Sequence, residues 1–310
     1  MPTDYEIIDV HVHLTRDAAQ EQIVFPRAGW PLSWYWGHPG GVQQYMDFHG
    51  ISHIVTVNYM VTRQVIATRL ARARAAGTEA DPERIRLELV ERVTKFNRWA
   101  CAEYGAPASR VLPFVMADPV LFGDAITGEI EECIALGARG LKMHPTLNAH
   151  LPDDERMYAV YERCQEVGLP ILADTGERRP EAGLETWGAP MHWAPVLRRF
   201  PRLRLIMAHL PGALWEQRID LAREFGDNLV FDIAGGFVDD RHPAGGHTVI
   251  PANKAVGVIR TIGVDRVLFG SDGPSMDPRR AAEQLVSLDL TDDEKEQILS
   301  RNARAFLGLT

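Results

Sequence analysis

Short apolar runs rich in β-branched residues, each followed by a loop and a helix-like stretch, constrain this chain more than any other feature. The runs read as strands are Ile7–Leu14, Ile51–Tyr59, Val111–Asp118, Ala138–His144, Pro170–Asp174, Leu203–His209, Leu229–Ala234 and Arg266–Asp272. Helical patterns lie between them at Pro82–Tyr104, Asp124–Leu136, Asp153–Val167, His192–Phe200, Ala213–Phe225, Asn253–Ile262 and Pro278–Leu288. A last helix is predicted over Asp292–Leu307, after a Thr-Asp-Asp-Glu start suited to an N-cap and an acidic first turn. Strands that alternate with helices form βαβ units and a parallel sheet. Eight such units in 310 residues fit one α/β domain, a closed (β/α)8 TIM barrel spanning residues 1–310. A doubly wound sheet would want a glycine-rich turn after its first strand, and here that strand ends His-Val-His-Leu.

Composition excludes several classes. The net charge of −9 gives no basic footprint for nucleic acid. No apolar run approaches the roughly 18 residues of a membrane span. The amino terminus MPTDYEIIDV lacks the basic and apolar regions of a signal peptide. Cys101, Cys133 and Cys164 are odd in number and form no CxxC pair, so reduced thiols and a cytoplasmic location are expected.

In barrels of this kind the chemistry sits at the carboxyl ends of the strands. Here those ends carry His11 and His13, Lys142 and His144, Asp174, His209, and Asp272. Residues i and i+2 of a strand share a face, so His11 and His13 can hold one ion from one strand. Strands one and eight are neighbours in a closed barrel, which brings Asp272 to the same ion. Two imidazoles and a carboxylate suit a divalent metal and leave a position open.

The segments Ile8-Asp9-Val10-His11-Val12-His13, Gly140-Leu-Lys142-Met-His144-Pro145, His209-Leu-Pro-Gly and Leu268-Phe-Gly-Ser-Asp272 resemble the amidohydrolase superfamily. More narrowly they resemble its amidohydrolase-related branch, which also contains aminocarboxymuconate-semialdehyde decarboxylase and related non-oxidative decarboxylases. The closing Asn302–Leu309 resembles that branch's terminal helix. The resemblance implies one divalent metal, Zn or Mn, bound by His11, His13 and Asp272, with Asp272 also shuttling a proton and His209 polarising the substrate or donating a proton. It implies a histidine at the end of strand five, where this chain has Asp174. Either Asp174 is a ligand, which weakens the ion as a Lewis acid, or His144 supplies the imidazole and Asp174 stands behind it. Lys142 either balances charge or binds a substrate anion, or it is carboxylated between two metals as in binuclear members.

Other residues enter as alternatives. Asp9 is expected to hydrogen-bond in the core and Asp232 to be structural. Arg178 and Arg179 are a clamp for a substrate carboxylate or a solvated loop; His192, His242 and His247 fall in loops or at helix starts. The connection from Arg16 to Gly41 carries Phe25, Trp30, Trp34, Tyr35 and Trp36. A loop this long and aromatic suits a lid or wall over the barrel mouth, with Trp34 and Trp36 against an aromatic or carboxylated small molecule, or a surface packed on another subunit. Dimers are common in resembling proteins, so a homodimer is compatible with it. The leading expectation is a hydrolase in which a metal-activated water attacks an amide, ester or lactone carbonyl. The alternatives are a metal-dependent non-oxidative decarboxylase of an aromatic or unsaturated acid, and a barrel that has lost its metal chemistry.

Overall fold

The computed structural model describes residues 5–21, 36–175, 187–212, 214–235 and 250–309. All eight expected strands are present: β1 (Ile7–Val12), β2 (Ile51–Val57), β3 (Val111–Met116), β4 (Gly140–Met143), β5 (Ile171–Ala173), β6 (Leu205–Met207), β7 (Leu229–Asp232) and β8 (Val267–Leu268). They pair in parallel and in sequence order. Backbone hydrogen bonds then join the end of β8 to β1: Val10 N–H donates to Phe269 O at 3.0 Å, Asp272 N–H to His11 O at 2.9 Å and His13 N–H to Gly273 O at 2.7 Å. The sheet therefore closes into the (β/α)8 barrel.

Alternation along the strands divides the core in two. Ile8, Val10, Val55, Val57, Leu112, Phe114, Leu172, Ile206, Val230 and Leu268 form the inner cluster, against which Phe306, Leu307 and Leu309 of the terminal segment pack. The intervening Ile54, Val111, Val115, Leu141, Ile171, Leu205 and Leu229 belong to the outer cluster shared with the helices. Gly140 is the small partner in this interior. It lies in register with Phe114, whose ring occupies the space a Cβ would take, about 2.4 Å from it.

The helix predicted over Pro82–Tyr104 has those bounds, with Asp81 accepting from Glu83 N–H and proline in the first turn. Among the described residues the helices Val42–His49 and Thr62–Ala75, with the short turns of helix Pro119–Phe122 and Pro145–Asn148, add to the expected set. The second buries only Thr62, so it has no apolar stripe for periodicity to reveal. The last helix is divided into Asp292–Glu296, a π-helical turn over Gln297–Arg301, and Asn302–Leu307. No described helix is long and apolar enough to cross a membrane. Trp34, Arg178, Arg179, His242 and His247 lie outside the described residues, as does most of the aromatic connection after β1; Trp36 packs edge-on against Phe48.

Candidate metal centre

Two departures from simple strand geometry aim the site residues. The register of β1 against β2 shifts between Asp9 and Val12, where three steps on β1 face two on β2. Such a bulge inserts a residue and re-aims the side chains beyond it. Ile8 and Val10 thus fill the barrel, yet His11 and His13 beyond them reach its mouth. Asp9 serves the irregularity: its Oδ1 accepts His11 N–H at 3.1 Å and Ser271 N–H at 2.9 Å. Burial raises its carboxyl to about 7. The second device is a left-handed backbone at His209 (φ 71°) and Asp272 (φ 62°). Such conformations cost on the order of 1–3 kcal/mol each and persist where surrounding contacts over-determine them. For His209 those contacts include its N–H to Asp232 Oδ1 at 3.0 Å and Nδ1 to Ala234 O at 2.8 Å.

His11, His13 and Asp272 converge. One ligand atom from each lies within 4.8 Å of the others, and all three side chains are buried. Asp272 Oδ1 is 3.0 Å from His13 Nε2 and 3.6 Å from His11 Nε2, while its Oδ2 accepts from Ser275 Oγ at 2.6 Å.

The partners of His11 fix its tautomer. Nδ1 faces the Asp232 carboxylate at 3.1 Å and so carries the proton; Nε2 faces the Lys142 ammonium at 3.3 Å and so presents its lone pair. Burial, reinforced by the Lys142 charge, pushes this imidazole down to about 4 against the pull of Asp232 and Asp272. A neutral imidazole backed by a carboxylate is the form in which histidine binds metal. The donor set therefore fits a divalent ion, with one carboxylate and two imidazoles leaving it net positive charge. Burial also pulls the Lys142 ammonium below its usual range, although Asp174, Asp232 and Asp272 oppose this.

Asp174 stands beside this cluster, paired with two other histidines. Its Oδ2 lies 3.0 Å from His209 Nε2 and 3.2 Å from His144 Nε2. His144 Nδ1 accepts from Leu147 N–H at 3.4 Å, so Nε2 carries its proton. Both ring nitrogens of His209 face acceptors, Asp174 and Ala234 O, so that ring is an imidazolium. Burial alone would lower it, but the hydrogen bond and charge of Asp174 raise it to about 9. Conversely, burial would raise Asp174, and the Nε2–H of His144, the hydrogen bond and charge of His209 and the charge of Lys142 hold it well below the usual carboxylate range.

Two residues of the site are not legible as such in the sequence. Asp232, expected to be structural, contacts both His11 and the His209 backbone; its place two residues short of the expected strand end conceals this. Tyr59 lies two residues beyond β2, with its ring 5.5 Å from that of His13 and 4.9 Å from that of His144. With Met60, Met116, Leu121 and Asn148 it lines a cavity that reaches Lys142 and His144.

The amidohydrolase family model matches residues 8–309. No curated protein matches the sequence. Among solved structures, 2,6-dihydroxybenzoate decarboxylase from Rhizobium shares 16% identity over 100% of this chain and 99% of its own, with a TM-score of 0.65. A dihydroxybenzoic acid decarboxylase from a Polaromonas species, solved with manganese and 2-nitroresorcinol, shares 17% over 100% and 98%, at 0.65. The 4-oxalomesaconate hydratase of Rhodopseudomonas palustris shares 18% over 97% and 95%, at 0.56. At these identities the structural likenesses speak for the fold alone, whereas the family model spans nearly the whole sequence, and the chain belongs to the amidohydrolase family.

Proposed function

We propose that this chain is a metal-dependent decarboxylase of an aromatic or unsaturated carboxylic acid. The observation that carries the reading is the His209 ring, held between Asp174 Oδ2 at 3.0 Å and Ala234 O at 2.8 Å, its centroid 5.2 Å from that of His11. Loss of carbon dioxide leaves an electron pair on carbon that a proton must take up, and an imidazolium beside the metal ligands is a proton source. Two of the structural relatives are decarboxylases of dihydroxybenzoic acids, one of them with manganese.

His11, His13 and Asp272 would hold the ion, Zn or Mn. When bound, it supplies Lewis-acid chemistry, polarising an oxygen of the substrate. Lys142, buried at the mouth of the barrel, offers an ammonium to the substrate carboxylate before it leaves. His209 gives its proton to the carbon, and Asp174 stabilises the ring in its charged form until then.

Hydrolysis is the second reading, favoured by one geometric fact. Asp272 Oδ1 lies close to both His11 and His13, where it could accept a proton from water attacking a carbonyl. The experiment that separates them incubates manganese- or zinc-loaded protein with hydroxybenzoates and unsaturated acids, and in parallel with esters, lactones and amides. Metal-dependent carbon dioxide release supports the decarboxylase; cleavage of the second panel with none from the first overturns it.

A further inference from the structure

Arg218 lies in the helix Trp215–Glu224 and is 1% exposed, a charged residue almost wholly inside the protein. Its Nη2 donates to Thr175 O at 3.2 Å, Thr175 Oγ1 at 3.0 Å and Ala208 O at 3.1 Å. Thr175 Oγ1 donates in turn to Ala208 O at 2.9 Å. Thr175 immediately follows Asp174, and Ala208 immediately precedes His209. One buried guanidinium therefore ties together the two backbone segments that carry the 3.0 Å Asp174–His209 contact.

We infer that Arg218 is a positioning residue for the Asp174–His209 pair, acting through Thr175 and Ala208. Backbone bonds carry the strands to this point, with Asp174 N–H donating to Met143 O at 2.9 Å and Ala208 N–H to Ala173 O at 3.0 Å, just past the ends of β5 at Ala173 and β6 at Met207. His209 moreover has a left-handed backbone that its neighbours must maintain. The Arg218 knot extends the β5–β6 connection by the one step the two side chains need. Thr175 is its middle member, since its hydroxyl both accepts from Arg218 and donates to Ala208. Misplacement by about 1 Å can cost two orders of magnitude in rate, which is the scale on which such a support acts.

A second arginine supplies the control. Arg266 also ties carbonyl groups, bonding Ala222 O, Gly226 O and Leu229 O at 2.7–3.0 Å, and among the described residues it hydrogen-bonds no residue of the site. The test measures the His209 Nε2 proton resonance in 15N-histidine-labelled protein, assigned by its loss in His209→Gln, together with thermal stability. It compares Arg218→Met, Thr175→Val, Thr175→Ser and Arg266→Met. Arg218→Met and Thr175→Val are expected to shift or broaden the resonance. Thr175→Ser, which keeps the hydroxyl, retains it, and Arg266→Met lowers stability while leaving it unmoved. Should Arg218→Met not fold, Thr175→Val against Thr175→Ser decides alone. Folded Arg218→Met, or Thr175→Val, with an unchanged His209 resonance overturns the assignment.

The kinetic arm rests on the decarboxylase reading: kcat falls about tenfold or more in Arg218→Met and Thr175→Val at a temperature where both are folded, with KM within about threefold. A kcat within twofold of the unsubstituted enzyme overturns the assignment. Absence of carbon dioxide release from the unsubstituted enzyme speaks against that reading instead, and the resonance still decides the positioning role.

Discussion

Asp232 Oδ2 lies 3.1 Å from His11 Nδ1 while Asp232 Oδ1 accepts the backbone N–H of His209 at 3.0 Å. One carboxylate at the end of β7 thus sets the tautomer of a metal-binding imidazole and the backbone of the neighbouring site histidine. Its partners keep it ionised: burial would raise it, but the interaction and hydrogen bond with His11 Nδ1–H, then the His209 imidazolium and its backbone N–H, lower it. Asp232→Asn is expected to weaken metal affinity by about 10–100-fold, the usual cost of losing such a partner. His11→Ala and Asp272→Asn should cost more, because each removes a donor and with it turnover. Metal titration of chelator-stripped protein distinguishes the three, and affinity near that of the unsubstituted protein in Asp232→Asn would refute the role given to it.

The strands are legible in the sequence because their interiors are apolar and their ends polar, a contrast that survives any error in the edges. Their length is not. The pattern marks Arg266–Asp272 as strand, yet only Val267–Leu268 pairs regularly, because the residues beyond serve the site rather than the ladder. A period of two places His11 and His13 on one face but does not disclose the bulge that puts Ile8 and Val10 in the barrel as well. Nor does it anticipate that His209 turns inward through a positive φ directly after Ala208. Asp174 is visible as a departure from the resembling family; its pairing with both His144 and His209 is a tertiary fact that no local pattern encodes.

Gly140 tests the packing of the barrel interior. A methyl group there would meet the Phe114 ring at about 2.4 Å, closer than real contacts allow. Gly140→Ala is expected to destabilise the protein by about 1–3 kcal/mol, the usual cost of overpacking. Combining it with Phe114→Leu should recover part of that loss, since the smaller side chain vacates the ring's place. Denaturant titration of the two single variants and the double variant checks this; additive losses would show that the clash is not the cause.

The terminal helix offers a pH-dependent handle remote from the metal centre. Glu294 completes a capping box with Thr291 and pairs with Arg260 at 2.9 Å. The Arg260 hydrogen bond, then the Thr291 N–H, lower its carboxyl to about 2 from an ordinary 4.5. A carboxyl held lower in the folded state contributes stability that is present above its unfolded value and disappears as pH falls through the folded one. The difference in Tm between the unsubstituted protein and Glu294→Gln should therefore be full at about pH 6 and shrink as pH falls from about 4.5 toward 2. Because the pair is near the surface, added salt should also reduce it. A difference independent of pH would assign the effect to helix capping by shape alone.

Asp174→Asn separates two roles for the residue that most distinguishes this site. Were the carboxylate a ligand, the variant would lose metal and turnover together. In the described geometry Asp174 instead accepts from His144 and His209, outside the cluster of His11, His13 and Asp272. The amide keeps an acceptor oxygen but has no charge to hold the His209 ring as an imidazolium. The expected outcome is retained metal stoichiometry with turnover reduced by about 10²–10⁴-fold, the range of general acid–base contributions. Elemental analysis alongside kinetics decides, because loss of metal in step with activity would move Asp174 into the coordination sphere.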